Sequence, residues 1–464
     1  MTVPQPISLT EQCSQLRQGT RTSTELVRAC LERIADRDPA LRAVLGIAPD
    51  ALTQAARADR RLRRGRPRSV LDGIPVLLKD CIDTAGLLST SGSRLLAATS
   101  PGHDAAVVSA LRRAGAIILG KTNLSEWSGF RSQHMIEGWS SLGGQTRHAD
   151  DPARSPWGSS SGSAVAVAAG MAPLAFGTET DGSIVGPAGQ NGVAAIKPEH
   201  GLLPLAGVAG ISRKQDTIGP FAATLADAVL AMRALCPDRV APVRGHDLAG
   251  LRIGAWLPGR SSAGVRGVFA SWIADLRRAG ADITEVNFDD QEQLWPAEMR
   301  ALLAEFEPSL SGYLSRRGGL PSSLAELVAG NAGRTDILQY FGQETFEDAL
   351  RLDPAELRRG QRTRPQLTET ACTRLDAVRA AARVPVILTP ANEPAWIIDH
   401  VVGDPRTVAT SSMAAIAGRP NVCLPLGRVD RLPVGACMFG PPTLNGLLGT
   451  ALSVEAAIRP CAVS

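Results

Sequence analysis

Lysine is scarce in this chain. Of its 49 lysine and arginine residues only four are lysines, at positions 79, 121, 197 and 214, which leaves 45 arginines. Arginine does not give up its proton inside a protein, whereas a desolvated lysine does. A chain that places guanidinium nearly everywhere on its surface keeps lysine where guanidinium cannot serve, so each lysine is a candidate for chemistry. Aromatic residues are also few, at 4%, against 46 glycines and 32 prolines. That balance argues against a coiled coil or a disordered chain and suits an α/β protein with many tight connections. The eight cysteines (13, 30, 81, 236, 372, 423, 437 and 461) include no CxxC pair. They argue against a zinc site and read as small, buried apolar residues in a reducing compartment. A net charge of +4 over 464 residues gives no electrostatic case for nucleic acid or a membrane as partner. The opening residues, MTVPQPISLTEQCSQL, hold neither a basic segment nor an apolar run. No segment approaches about eighteen unbroken apolar residues, and the expectation is a soluble, cytoplasmic protein.

The patterning present is that of alternating helices and strands. Thr22 and Glu25 make a capping box ahead of Leu26, Val27, Cys30, Leu31 and Ile34 at helical spacing. Residues 51–62 read as a second helix, and the arginines at 57, 60, 61, 63, 64, 66 and 68 as a solvated face, because no aromatics interleave. Ile74–Leu78 is a short apolar strand that delivers Lys79. A helix over 105–114, capped by Gly115, leads into a buried strand over 116–119. Beyond it the pattern predicts helices over 163–170, 224–235 and 268–279, strands over 174–177 and 251–256, and a tight turn over 182–187. Residues 292–376 are mostly helical, and strands return at 384–389 and 422–426. With no repeat and no low-complexity segment, the chain reads as one domain over 1–464. Its N-terminal helical part is 1–70, its core 71–236, and its C-terminal part, 237–464, completes the sheet and walls a substrate pocket.

Two motif matches fail on their context. Gly115–Thr122, GAIILGKT, has the letters of a phosphate-binding loop, yet the positions that should be free amides form an apolar β-run preceded by a helix. Gly158–Gly162, GSSSG, has the letters of a nucleophile elbow, yet a turn-rich loop, DPARSP, stands where a strand is required.

The segment from Ser155 to Ala188 is what the remaining chain is organised to hold. It opens with three serines between glycines, runs through small apolar residues and closes on a second Gly-Ser turn. Ser159, Ser160, Ser161 and Ser183 are expected to be buried hydroxyls, which must be hydrogen-bonded or chemically employed. A serine needs a base. Asp399-His400 offers a Ser…Asp…His order, although such a pair is more often structural. The other base is Lys79, whose pKa falls if it is buried against Leu77 and Leu78. Its neutral amine can then draw a proton from a serine, directly or through a second hydroxyl. Backbone N–H groups over Thr180-Asp181-Gly182-Ser183 would form an oxyanion hole if they converge.

The combination resembles the amidase signature family. The matching residues are Asp72-Gly73-Ile74-Pro75-Val76 leading to Lys79-Asp80, Gly120-Lys121-Thr122-Asn123, Gly158 to Ser163, and Gly177-Thr178-Glu179-Thr180-Asp181-Gly182-Ser183-Ile184. Ala195-Ile196-Lys197-Pro198, Gln215 to Pro220 and Ala414 to Pro420 extend the resemblance over nearly the whole chain. It implies a central mixed β-sheet covered by helices on both faces. It implies Ser183 as nucleophile, Ser159 after a cis peptide bond as proton relay, Lys79 as general base, and an oxyanion hole on Thr180, Asp181 and Gly182. It calls for no metal and no cofactor. The family's usual arginine after Ser-Ile is Val185 here. The Thr-Glu-Thr-Asp-Gly-Ser form, with Asn123 to Trp127, Gly138-Trp139-Ser140 and Pro394-Ala395-Trp396, is most similar to the peptide amidase branch, which releases ammonia from C-terminal peptide amides.

The function expected is therefore hydrolysis of a small-molecule or peptide amide through an acyl-enzyme. The alternatives are a subunit of an ammonia-transferring amidotransferase, an amide-forming acyltransferase of a biosynthetic pathway, and a catalytically silent scaffold. Trp127, Trp139, Trp157 and Trp396 are candidates to line the acyl pocket. Lys121 is expected to pair with Glu126, Glu179 and Asp181 to hold the turn, and the assembly expected by analogy alone is a homodimer.

Overall fold

The structure, a computed structural model, describes residues 6–319, 321–405 and 409–458. Cys461 and the first five residues of the N-terminal segment lie outside them. Among the described residues eleven strands join one sheet. Its order is Val44–Ile47, Ile117–Thr122, Pro75–Lys79, Leu174–Glu179, Thr217–Ala222, Ala194–Lys197, Asn421–Val429, Leu432–Phe439, Val386–Pro390, Arg252–Ala255 and Asp282–Glu285. The sheet is mixed, as expected. Pro75–Lys79 runs parallel to both neighbours, the centre is antiparallel, and the far edge is parallel again.

Side-chain alternation explains why both faces need helices. Along Val386–Pro390, Val386 and Leu388 join the large apolar cluster, whereas Ile387 points to the opposite face. There it packs with Phe439, Trp256 and residues of the helices Pro354–Ala382 and Ser412–Ile416. Strands buried on both sides read as unbroken apolar runs, which is why Pro75–Lys79 and Ile117–Thr122 stand out in the sequence.

The capping box is present: the Thr22 hydroxyl accepts from Glu25 N–H, and the Glu25 carboxylate accepts from Thr22 N–H, opening the helix Ser23–Leu41. The N-terminal part is not wholly helical, because Val44–Ile47 pairs antiparallel with Ile117–Thr122 as the sheet edge. The expected strand over 116–119 continues through Thr122, so the GKT letters lie inside a strand. Residues 182–187 are not a simple turn, since a short helix, Val185–Gln190, begins within them. Of the seven described cysteines, all free, five are buried, but Cys236 and Cys372 are only half-buried.

At the centre of the sheet the backbones leave no room for side chains. A methyl group on Gly219 would overlap the carbonyl oxygen of Ile196 on the neighbouring strand. Overpacking of this kind costs about 1–3 kcal/mol. Gly219→Ala is therefore expected to lower the unfolding free energy by that order, read as a fall in the urea midpoint, and an unchanged midpoint would show that the strands separate freely.

Candidate active site

Lys79 ends its strand in register with Thr122 on one side, and the Leu174–Glu179 strand lies on the other. The carboxyl ends of these parallel strands thus open at one rim, where open α/β sheets place their ligands. Lys79 is fully buried. Its Nζ lies 2.7 Å from Ser159 Oγ, 2.9 Å from Thr178 Oγ1 and 3.3 Å from the Thr178 carbonyl oxygen. Burial pushes its pKa down, while Cys81, Glu137, Asp216 and Glu179 pull it partly back. Desolvation, the largest of these causes, favours the uncharged amine.

The peptide bond Gly158–Ser159 is cis. Ser160 and Ser163 hold the turn against the neighbouring strand: their hydroxyls donate to the carbonyls of Thr178 and Phe176 at 3.0 Å each. Ser160, the centre of the GSSSG match, is thereby committed to structure, and no strand precedes it. Ser159, Ser160 and Ser161 are fully buried, whereas Ser183 is half-buried. The two serine turns are tied by the Ser160 N–H, which donates to the Ser183 carbonyl at 3.2 Å. Among the described residues the Ser183 hydroxyl takes no hydrogen-bond partner.

The Ser183 turn is held by carboxylates from beneath. Glu179 Oε2 accepts from the N–H groups of Ile184 (2.7 Å) and Val185 (3.0 Å). Asp181 accepts from the Ser411 hydroxyl at 2.5 Å, and Thr180 Oγ1 donates to Asp216 at 2.5 Å. Gly182 has φ +79°, a left-handed conformation that favours glycine. The N–H groups of Thr180, Asp181 and Gly182 donate to no group among the described residues.

The other lysines are structural. Lys121 does not pair with Glu126: its Nζ donates to Ile82 O and Ser89 Oγ and lies 3.9 Å from Asp80. Glu126 instead forms a fully buried pair with Arg131 at 2.7 Å. The strand directs Lys121 towards Asp80, away from the loop that carries Glu126. Lys197 donates to the Arg419 carbonyl at 2.7 Å, and Lys214 is largely exposed near Glu305. The Asp399-His400 pair is accounted for locally. Asp399 accepts from Val401 and Val402 N–H, and the His400 ring lies 5.0 Å from that of Tyr340. Among the described residues no group of three or more His, Cys, Asp or Glu is placed to hold a metal, and no helix is long and apolar enough to cross a membrane.

Three contributors were given no role by the sequence. Thr178 and Gln215 lie inside the Gly177–Ile184 and Gln215–Pro220 motifs and could have been found there. Glu298 could not: Gln215 Nε2 donates to Thr180 O (3.0 Å) and to Glu298 Oε1 (2.6 Å), across 83 residues. A cavity of about 770 Å³ adjoins the serine turns, lined by Glu137, Trp157, Tyr340, Trp396, His400 and Asp404 among others. Trp157 and Trp396 line it; Trp127 and Trp139 are buried against Phe346 and Phe341 instead.

Burial pushes the Glu298 carboxyl up to about 8, and the nearby Asp181 charge adds to the effect. A carboxyl raised in the folded state holds its proton there while the unfolded chain has lost it. Its stabilisation is therefore complete below about pH 4.5 and drains away as pH rises towards 8. Glu298→Gln is expected to flatten the fall of melting temperature across that window. A slope identical to that of the parent would show that Glu298 is ionised throughout.

The chain matches the family model described as Amidase over residues 25–448. A probable amidase of Arabidopsis thaliana is 39% identical over 354 residues, covering 70% of this chain and 68% of that protein. A glutamyl-tRNA(Gln) amidotransferase subunit of Chloroflexus aggregans is 33% identical over 461 residues, covering 92% and 91%. Among solved structures, the peptide amidase PAM in complex with the competitive inhibitor chymostatin is 40% identical, with TM-score 0.91 and 97% of each chain covered. The native peptide amidase of Stenotrophomonas maltophilia is 38% identical, with TM-score 0.89 and the same coverage.

Proposed function

The chain belongs to the amidase signature family and is an amide hydrolase; from that premise we propose that Lys79, Ser159 and Ser183 cleave the C-terminal carboxamide of a peptide or a similar small amide. The observation that carries the reading is the 2.7 Å contact between a buried lysine amine and the Ser159 hydroxyl. Ser183 Oγ attacks the amide carbonyl carbon while its proton moves to Ser159 Oγ and the Ser159 proton moves to the neutral Lys79 amine. The N–H groups of Thr180, Asp181 and Gly182 receive the oxyanion as it forms. On collapse the C–N bond breaks, the proton returns through Ser159 to the departing nitrogen, and ammonia leaves an ester on Ser183. Water then attacks that ester, giving its proton along the same path, and the carboxylic acid and free Ser183 are restored.

Lysine suits this task because it can accept a proton that arginine would refuse. Burial lowers the Lys79 pKa, so activity rises as pH rises through that value, the direction in which the amine becomes the base. The peptide amidase neighbours support a C-terminal peptide amide as substrate. A second reading, favoured by the likeness to the Chloroflexus amidotransferase over nine-tenths of the chain, has the ammonia pass to an acceptor in a complex. Ammonia release from glutamine, little from peptide amides, and co-purification of a partner protein would select it.

Ser183→Ala is expected to lose on the order of 10⁴-fold or more in turnover while keeping the parent's melting profile. Lys79→Arg should lose at least about 10²-fold, although charge and bulk are retained. An ammonia-release assay over peptide, aryl and aliphatic amides checks both. Ordinary turnover by the Ser183 variant would remove the mechanism.

A further inference from the structure

The cavity beside the serine turns has an unusual lining for so arginine-rich a protein. Among the described residues neither lysine nor arginine lines it; its acidic walls are the carboxyl groups of Glu137 and Asp404, and its broad surfaces are Trp157, Trp396 and Tyr340. The Trp157 and Trp396 rings meet edge to face with centroids 5.6 Å apart. Burial and then the nearby Arg147 charge hold the His400 pKa down, but Arg147 turns its guanidinium to the Pro152 carbonyl at 2.8 Å.

The two acids are built into the site. Glu137 Oε2 accepts from the Ser125 hydroxyl, and that serine's N–H donates to the Ser159 carbonyl at 3.1 Å. A side chain on Gly158 would strike the same carboxylate, so the cavity floor reaches the peptide bond that carries Ser159. Glu137 N–H donates to Asp404 Oδ2 at 2.7 Å, and Asp404 Oδ1 accepts from Trp396 Nε1 at 2.6 Å. Glu137 Oε1 has no hydrogen-bond partner among the described residues. Burial, helped by the Asp404 charge, pushes the Glu137 carboxyl up to about 7.

Aromatic faces together with unpaired carboxylate oxygen are the chemistry that receives a cation. We propose that this cavity binds a positively charged group, an ammonium or guanidinium, on the acyl part of the substrate. The proposal rests on the amide-hydrolase reading above and names its substrate class: C-terminal amides of basic peptides, or short peptide amides with a free amino terminus. Glu137 also acts on the base. Its charge works to keep Lys79 protonated, and a cation seated against Glu137 offsets that pull. The cationic substrate thereby favours the neutral amine that its own hydrolysis requires.

The test compares three dipeptide amides: acetyl-alanyl-lysinamide, its near-isosteric neutral counterpart acetyl-alanyl-norleucinamide, and alanyl-norleucinamide with its free ammonium. At least one cationic amide is expected to exceed the neutral one by about tenfold in kcat/KM, equivalent to about 1.4 kcal/mol. Glu137→Gln and Asp404→Asn should each cut that ratio to within about twofold of unity, and added salt should reduce it in the parent. If Glu137→Gln fails to fold because the Ser125 contact is lost, the ratio in Asp404→Asn decides. Equal rates on all three amides, or a preference that survives in Asp404→Asn, overturn the cation site and leave the amidase reading intact. No ammonia from any of the three, with release from neutral amides of another class, overturns it as well. No release from any amide at all fails the proposed function instead.

Discussion

Lys79 stands at the end of a strand in which every residue is buried, with its amine against two hydroxyls and a carbonyl. These partners are neutral and the carboxylates that attract a positive charge act from a distance, so desolvation remains the largest influence on the amine. The remaining architecture follows from keeping such an amine dry and in contact with a serine. Parallel neighbours bury the strand on both edges, and helices bury it on both faces. The small residues of the serine-rich helix Ser161–Ala168, all buried, allow that helix to lie directly against the sheet. A side chain on Gly162 would overlap the backbone oxygens of Ala43 and Asn123.

The Ser183 turn obeys a different constraint. Here acids are abundant and hold backbone N–H and hydroxyl groups in place: buried Glu179 beneath Ile184 and Val185, buried Asp216 against Thr180, and half-buried Asp181 against Ser411. Ser411 arrives from 230 residues away. The C-terminal part of the chain, which contributes five strands to the sheet and the Glu298 helix, thus braces the turn that carries Ser183. One segment supplies Lys79, a second Ser159 and Ser183, and a third the struts that brace the Ser183 turn.

The residues of the candidate site were legible because each announces itself within a few residues. A lone lysine after an apolar run, two Gly-Ser turns and a Thr-Glu-Thr-Asp stretch are local signals. The capping box at Thr22 and the failure of the GKT match are local in the same way. Strands with mixed signals were not legible. Thr217–Ala222 contains Gly219 and Pro220, and Leu432–Phe439 contains Pro433 and Gly435, residues that count against a strand until pairing overrides them. The Gln215–Glu298 contact and the Glu137–Asp404 pair span 83 and 267 residues, and only the fold creates them. The expected Lys121–Glu126 pair failed for the converse reason: nearness in sequence suggested a contact that the strand direction forbids.

The shortage of lysine that opens the sequence also provides the direct test of the central claim. Three of the four lysines, 79, 121 and 197, are buried, and so small a number can be followed one by one. The measurement is the titration of each side-chain amine by NMR in protein labelled at lysine, with the Lys79 signal identified by its loss in Lys79→Arg. The account predicts that the Lys79 amine loses its proton well below about 10.4, the value of an unperturbed lysine. A Lys79 signal that stays protonated up to that value would contradict it, because the residue would then be a fixed charge and no base.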